Sequence, residues 1–188
     1  MEHRYSLGNK TVVLLEGDIV RQDVDAIANA ANGGLLGGGG VDGAIHRAAG
    51  PELVEACRRV KRTLAGGRLE TGGAVLTAGF KLRARHVIHC VGPVYASAGA
   101  EAPRLLASCY RNAMRLCREH GLRSIAFPSI STGVYGYPLD EAAPVALQAV
   151  REELEAHALP EEVRIVLFGD LAARAYKAAA DEVLSPRV

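Results

Sequence analysis

Short apolar runs bounded by turn residues alternate along this chain with longer stretches whose apolar positions recur at helical spacing. Residues 10–16 (KTVVLLE) and 25–31 (DAIANAA) are apolar on both alternations, the pattern of strands buried on both faces. Residues 74–78, 86–91, 124–128 and 163–168 predict further strands. Between them, residues 41–49 predict a short helix, and Pro51, suited to a first helical position, opens another in which Leu53, Cys57, Val60 and Leu64 share a face. Leu105, Cys109, Ala113, Leu116 and Cys117 fit one face of a helix over 101–120 that ends near Gly121. Pro144 is expected only in a first turn, which starts the next helix near Asp140. The last helix, 171–183, aligns Ala172, Tyr176, Ala179 and Val183. No element is predicted before residue 10.

Strands that alternate with helices predict a mostly parallel, mixed sheet covered on both sides, a three-layer α/β/α sandwich. In such a sheet ligands sit beyond the carboxyl ends of the strands. A length of 188 residues fits one domain spanning 1–188, and 49% apolar with 23% charged residues excludes a disordered or low-complexity chain. The formal net charge is +1, so neither a nucleic acid nor a membrane surface is an expected partner, and any bound anion must be held locally. The basic run at Arg58 to Arg62 reads as a solvated helix face. Cys57, Cys90, Cys109 and Cys117 lack the spacing of a metal cluster and read as reduced core residues. With no secretory or membrane-spanning pattern, a cytoplasmic monomer is expected.

Seven of the 21 glycines crowd into Gly33 to Gly43, so the composition is a local device. Successive backbone N–H groups ahead of a helix make an anion cradle, and glycine lets a ligand approach that backbone closely. Gly38, Gly40 and Gly43 satisfy GxGxxG, but the acidic residue that a dinucleotide fold needs about 20 positions on is missing; no GK[ST] follows either. A second loop, SISTGVYGYP over 129–138, offers Ser131 and Thr132 hydroxyls, Gly133 and Gly136, and the rings of Tyr135 and Tyr137. It is not a GxSxG elbow, and no covalent nucleophile stands out. The six histidines, His46 included, are read as structural or exposed. Two cradles point to one ligand with a central diphosphate. Asp18 is placed to accept from an adenine amine or, equally, to cap the turn that follows it. Phe168 could stack on a base or belong to the core. Asn32 and Asp42, which flank the glycines, would meet the other end.

The segments GDIVRQDVDAIANAANGGLLGGGGVDGAIHRAAGP (17–51), VIHCVGP (87–93) and SIAFPSISTGVYGYP (124–138) resemble, in order and spacing, the macrodomain family and its MacroD-type branch. The resemblance implies a cleft for ADP-ribose. In it Asp18 pairs with adenine N6, Ile19 gives a backbone donor to the ring, and Phe168 stacks on it. The backbone of Gly38, Gly39, Gly40 and Val41 lines the distal ribose, and Ser131, Thr132, Gly133, Val134 and Tyr135 wrap the diphosphate. It further implies hydrolysis of mono-ADP-ribosyl esters on aspartate or glutamate and of O-acetyl-ADP-ribose, with free ADP-ribose, its O-acetyl ester and modified proteins as partners. Asn32, Asp42 and Tyr135 are then the catalytic set: Asp42 orients or deprotonates a water, Asn32 holds the ribose hydroxyls and Tyr135 closes over the diphosphate. A phosphate oxygen of the ligand is the other candidate base. No cofactor is expected, and the zinc-dependent variety has no ligand set here. A non-catalytic ADP-ribose reader and an ADP-ribose 1″-phosphate phosphatase are the alternatives. Two departures stand out: Ala28 for the usual valine before NAAN, and Leu69 to Ala74 (LETGGA) for the usual CPTGEA.

Overall fold

A computed structural model describes residues 1–185; the last three residues of the expected domain lie outside them. Seven strands form one sheet: β1 (Glu2–Leu7), β2 (Lys10–Glu16), β3 (Ala26–Ala31), β4 (Ala74–Ala78), β5 (His86–Val91), β6 (Ser124–Phe127) and β7 (Glu162–Leu167), in the order β1-β2-β7-β6-β3-β5-β4. The five central strands run parallel, and β1 and β4 close the two edges antiparallel. The expected α/β sandwich with a mixed sheet is therefore the fold observed.

Alternation along the strands decides which residue meets which helix layer. Val12, Leu14, Ala26, Ala28, Ile88, Cys90, Ile125 and Phe127 pack with α4 (Ala102–Glu119), α5 (Leu139–Ala156) and α6 (Asp170–Val183). Ile27, Ala31, Val87, Val91, Ala126 and Val166 face the other way, onto α1 (Gly40–Ala49) and α2 (Glu52–Lys61). A single turn of helix, α3 (Tyr95–Ala98), follows β5. All four cysteines are buried and unpaired, as the sequence predicts.

Three differences have physical reasons. The strand β1 has no apolar run because it is an edge strand, alternately exposed and half-buried. The helix α2 stops at Lys61, which leaves Leu64 in the following loop, half-buried against the same core as Leu53 and Cys57. Pro144 stands at the sixth position of α5, past the first turn. It is exposed, so the Asp140 carbonyl that loses its N–H partner there can face water. Among the described residues no helix is long and apolar enough to cross a membrane.

Candidate functional site

Five segments leave the carboxyl ends of the parallel strands on one edge of the sheet: Asp18 after β2, Asn32 and the glycine loop after β3, Gly92 after β5, the 129–138 loop after β6, and Phe168 after β7. A cleft of about 710 Å³ runs between the first, second and last of these. Asp18, Ile19, Gly40, Val41, Leu167 and Phe168 are among its walls. The structure therefore brings Asp18, Ile19, Gly40, Val41 and Phe168, each expected at the ligand, into one groove. Phe168 is 96% exposed at its rim rather than part of the core. The Asp18 carboxylate fills one of its two expected roles: Oδ1 accepts from the Val20 N–H at 3.1 Å and caps the turn. The side chain stays about half exposed in the groove.

The glycine loop is shaped by close approach. A Cβ on Gly43 would lie 2.6 Å from the Gly38 carbonyl oxygen, so α1 can start only where residue 43 is glycine. A Cβ on Gly38 would meet Asp42 Oδ2 at 3.2 Å and Asn32 Nδ2 at 3.4 Å, which puts both side chains beside the same face of Gly38. Asn32 spends both ends of its amide on the loop: Nδ2 donates to the Gly37 carbonyl (3.1 Å) and Oδ1 accepts from the Gly34 N–H (3.1 Å). The helix α1 has no side-chain N-cap, and its first internal hydrogen bond is Gly43 N–H to the Gly39 carbonyl. Among the described residues the N–H groups of Gly38, Gly39, Gly40, Val41 and Asp42 therefore have no acceptor.

The second loop is built the same way. Ser131 holds a left-handed conformation (φ 67°), and its buried hydroxyl sits where a Cβ on Gly92 would be, 2.1 Å away. The Thr132 hydroxyl is already spent, donating to Ser129 Oγ at 2.8 Å, with the Ser129 carbonyl 3.0 Å away. Ser129 Oγ in turn meets the Tyr176 hydroxyl at 3.0 Å. The expected Thr132 contribution thus reduces to its backbone. From Ser131 to Tyr135 no N–H group finds an acceptor among the described residues, and Gly133 and Val134 are exposed at the tip. Tyr135 turns toward Asn32 across a second cavity.

Asp42 lies at the third position of α1 and is buried. Its Oδ1 accepts from Asn29 Nδ2 at 2.8 Å and lies 3.3 Å from His46 Nε2; its Oδ2 has no partner among the described residues. Asn29 belongs to β3 and pairs in register with His89 on β5. The same Asn29 Nδ2 reaches His89 Nδ1 at 3.1 Å, and His89 Nε2 reaches Thr77 Oγ1 on β4 at 3.0 Å. One amide nitrogen with two acceptors fixes the tautomer: His89 Nδ1 must accept, so Nε2 carries the proton and donates to Thr77. Burial holds this imidazole neutral, its pKa pushed down to about 3. His89 is a buried structural histidine, in line with the expectation for the six histidines, and its partner Asn29 carries no expected role. Their signal was a polar side chain at an inward position of an otherwise apolar strand, which a buried network explains.

Comparisons with known proteins place the chain in a family. An O-acetyl-ADP-ribose deacetylase of Salmonella typhimurium is 50% identical over 163 residues, covering 87% of this chain and 90% of that one. A macrodomain of Oceanobacillus iheyensis solved with ADP superposes with a TM-score of 0.94 at 44% identity, covering 97% of this chain and 96% of that chain. The Trypanosoma brucei macrodomain in complex with ADP-ribose gives a TM-score of 0.81 at 42% identity, over 90% of this chain and 68% of that chain. A family model described as Macro domain matches residues 28–146, well over half of the chain, and on that evidence the chain belongs to the Macro domain family.

Proposed function

We propose that this chain binds ADP-ribose and hydrolyses esters on its distal ribose, O-acetyl-ADP-ribose and mono-ADP-ribosyl aspartate or glutamate alike. The observation that carries this reading is the pair of unspent amide rows, Gly38 to Asp42 and Ser131 to Tyr135, at the carboxyl edge of one sheet. A diphosphate accepts from both, and the N-terminus of α1 favours its charge. The adenine end then lies in the cleft with Asp18 and the Ile19 N–H, whose donor is also free, against Phe168. The distal ribose falls between Asn32 and Asp42.

In the hydrolysis a water oxygen bonds to the acyl carbonyl carbon, the ester C–O bond breaks, and the ribose oxygen keeps one of the water's protons. The products are a ribose hydroxyl, a carboxylate and one released proton. Asp42 Oδ1 is tied to Asn29, so Oδ2 is the oxygen that orients the water or takes its proton. Asn32, locked at both ends, supports the loop beneath the ribose, and Tyr135 shields the site from bulk water. General-base assistance is worth about 10²- to 10⁴-fold. Asp42→Ala is therefore expected to lower turnover of O-acetyl-ADP-ribose at least ~100-fold, with ADP-ribose still bound in calorimetry. Binding without hydrolysis in the wild-type protein would make the chain a reader, and unchanged turnover in Asp42→Ala would remove that carboxylate from the mechanism.

A further inference from the structure

On the far side of Asn32 from the cleft, a second cavity of about 470 Å³ opens between Asn32, Arg68, Thr71, Gly92, Val94 and Tyr135. The departure from the family's CPTGEA pattern forms part of its wall. That loop is held firmly against the site. The Leu69 N–H donates to the Gly33 carbonyl at 3.0 Å, the Gly72 N–H to the Val91 carbonyl at 2.7 Å, and Asn112 Nδ2 to the Gly72 carbonyl at 2.8 Å. Arg68 rides on this support with its guanidinium over Gly33. A Cβ on Gly33 would lie 2.9 Å from Arg68 Nη2 and 2.9 Å from the Leu69 carbonyl oxygen, so glycine beside Asn32 lets the 68–69 backbone pack this close and brings the Arg68 side chain to the same spot. Among the described residues Arg68 is the one cation on this wall, and it has neither an ion-pair partner nor a hydrogen-bond acceptor. Glu70 shares the wall without pairing to it.

Resting on the function proposed above, ADP-ribose places its distal ribose at the mouth of this cavity. The group that extends past that ribose is the ester's acyl group. We propose that the cavity is the acyl subsite, in which Arg68 receives the carbonyl oxygen of the ester and then the carboxylate that the oxygen becomes part of. The reaction turns a neutral acyl group into an anion on that side while the ribose leaves as a neutral alcohol. The exposed Arg68 guanidinium is free to turn onto that oxygen and gains attraction as the bond breaks, which favours the transition state over the bound ester. The shared chemistry covers an acetyl group and the side chain of a modified glutamate or aspartate.

The test separates affinity for the nucleotide from affinity for the acyl group. In an Asp42→Ala background, where turnover is removed, calorimetry compares ADP-ribose with O-acetyl-ADP-ribose, with and without Arg68→Ala. Arg68→Ala is expected to leave the ADP-ribose Kd within about twofold and to weaken the acetyl ester about tenfold, the size of a lost charge-assisted hydrogen bond. In the otherwise wild-type protein it is expected to lower kcat/KM by more than it weakens the bound ester, about 30- to 100-fold, for O-acetyl-ADP-ribose and for a mono-ADP-ribosylated glutamyl peptide. Arg68→Lys is expected to recover part of that loss and Glu70→Gln to lower neither rate. A loss confined to one ester assigns the subsite to that source. Equal weakening of free ADP-ribose, or no change with either ester, overturns the proposal. A wild-type protein that hydrolyses neither ester overturns the hydrolase reading alone, because the binding comparison needs no turnover.

Discussion

Asn29 has one amide nitrogen and gives its two hydrogens to two acceptors, the Asp42 carboxylate and the His89 imidazole. Protonating His89 would set an N–H against that amide, so the network tolerates only the neutral ring. Folding therefore keeps His89 deprotonated from its ordinary 6.5 down to about 3, while the unfolded chain binds the proton throughout that window. Since the unfolded state takes up more protons there, the stability contributed by this site is complete above pH 6.5 and drains away as the pH falls toward 3. The slope is about 1 kcal/mol per pH unit. Urea unfolding at pH 7 and pH 5 is expected to show a smaller pH-induced loss in His89→Gln than in the wild-type protein; equal losses would mean that His89 is not held neutral by the fold. Asn32 and Asp42 were recognisable in the sequence because they border a glycine run. Asn29 and His89 were not, because a polar residue in a buried strand identifies itself only through the neighbour that satisfies it, and that neighbour is 60 residues away.

At the scale of elements, the start of α1 and the turn after β6 depend on close approaches to a glycine, Gly43 to the Gly38 carbonyl and Gly92 to the Ser131 hydroxyl, that a Cβ would block. Gly43 lies against the Gly38 carbonyl at a distance that a Cβ cannot occupy. Gly43→Ala should push the loop outward, at a cost of about 1–3 kcal/mol in stability. It should also weaken ADP-ribose binding more than Asp42→Ala does, because it disturbs the donor row rather than one carboxylate. Thermal melting and calorimetry on the same sample check both parts, and an unshifted melting temperature would refute the contact. The five longer helices and the six strands from residue 10 onward could be read from periodicity, since each buries one alternation or one stripe; the single turn α3 carries too few residues to show a period. The strand β1 could not: an edge strand needs few apolar residues, and its register is set by Lys10 to Leu15 opposite it. The end of α2 is hidden in the sequence for a related reason, since Leu64 continues the apolar spacing after the helix has stopped. Pro144 shows the limit of a local rule, for the chain places it on an exposed face where a missing N–H costs little.

Across the whole molecule, two helix layers seal a sheet whose interior holds every cysteine. Burial pushes the Cys57 thiol up to about 11 and those of Cys109 and Cys117 to about 12, with Cys90 also raised. Thiolate is the reactive form, so the native protein is expected to react negligibly with a disulfide reagent at pH 8, and four thiols should appear together across the urea transition. A thiol titrating well before global unfolding would reveal a layer that opens separately. The rim of the cleft is the opposite case, with Phe168 standing almost wholly in solvent. Because the chain contains no tryptophan, an indole put at that position would be the molecule's sole such fluorophore. Excited at wavelengths that the six tyrosines do not absorb, it would report the groove alone, so the occupancy of the groove could be followed optically in real time.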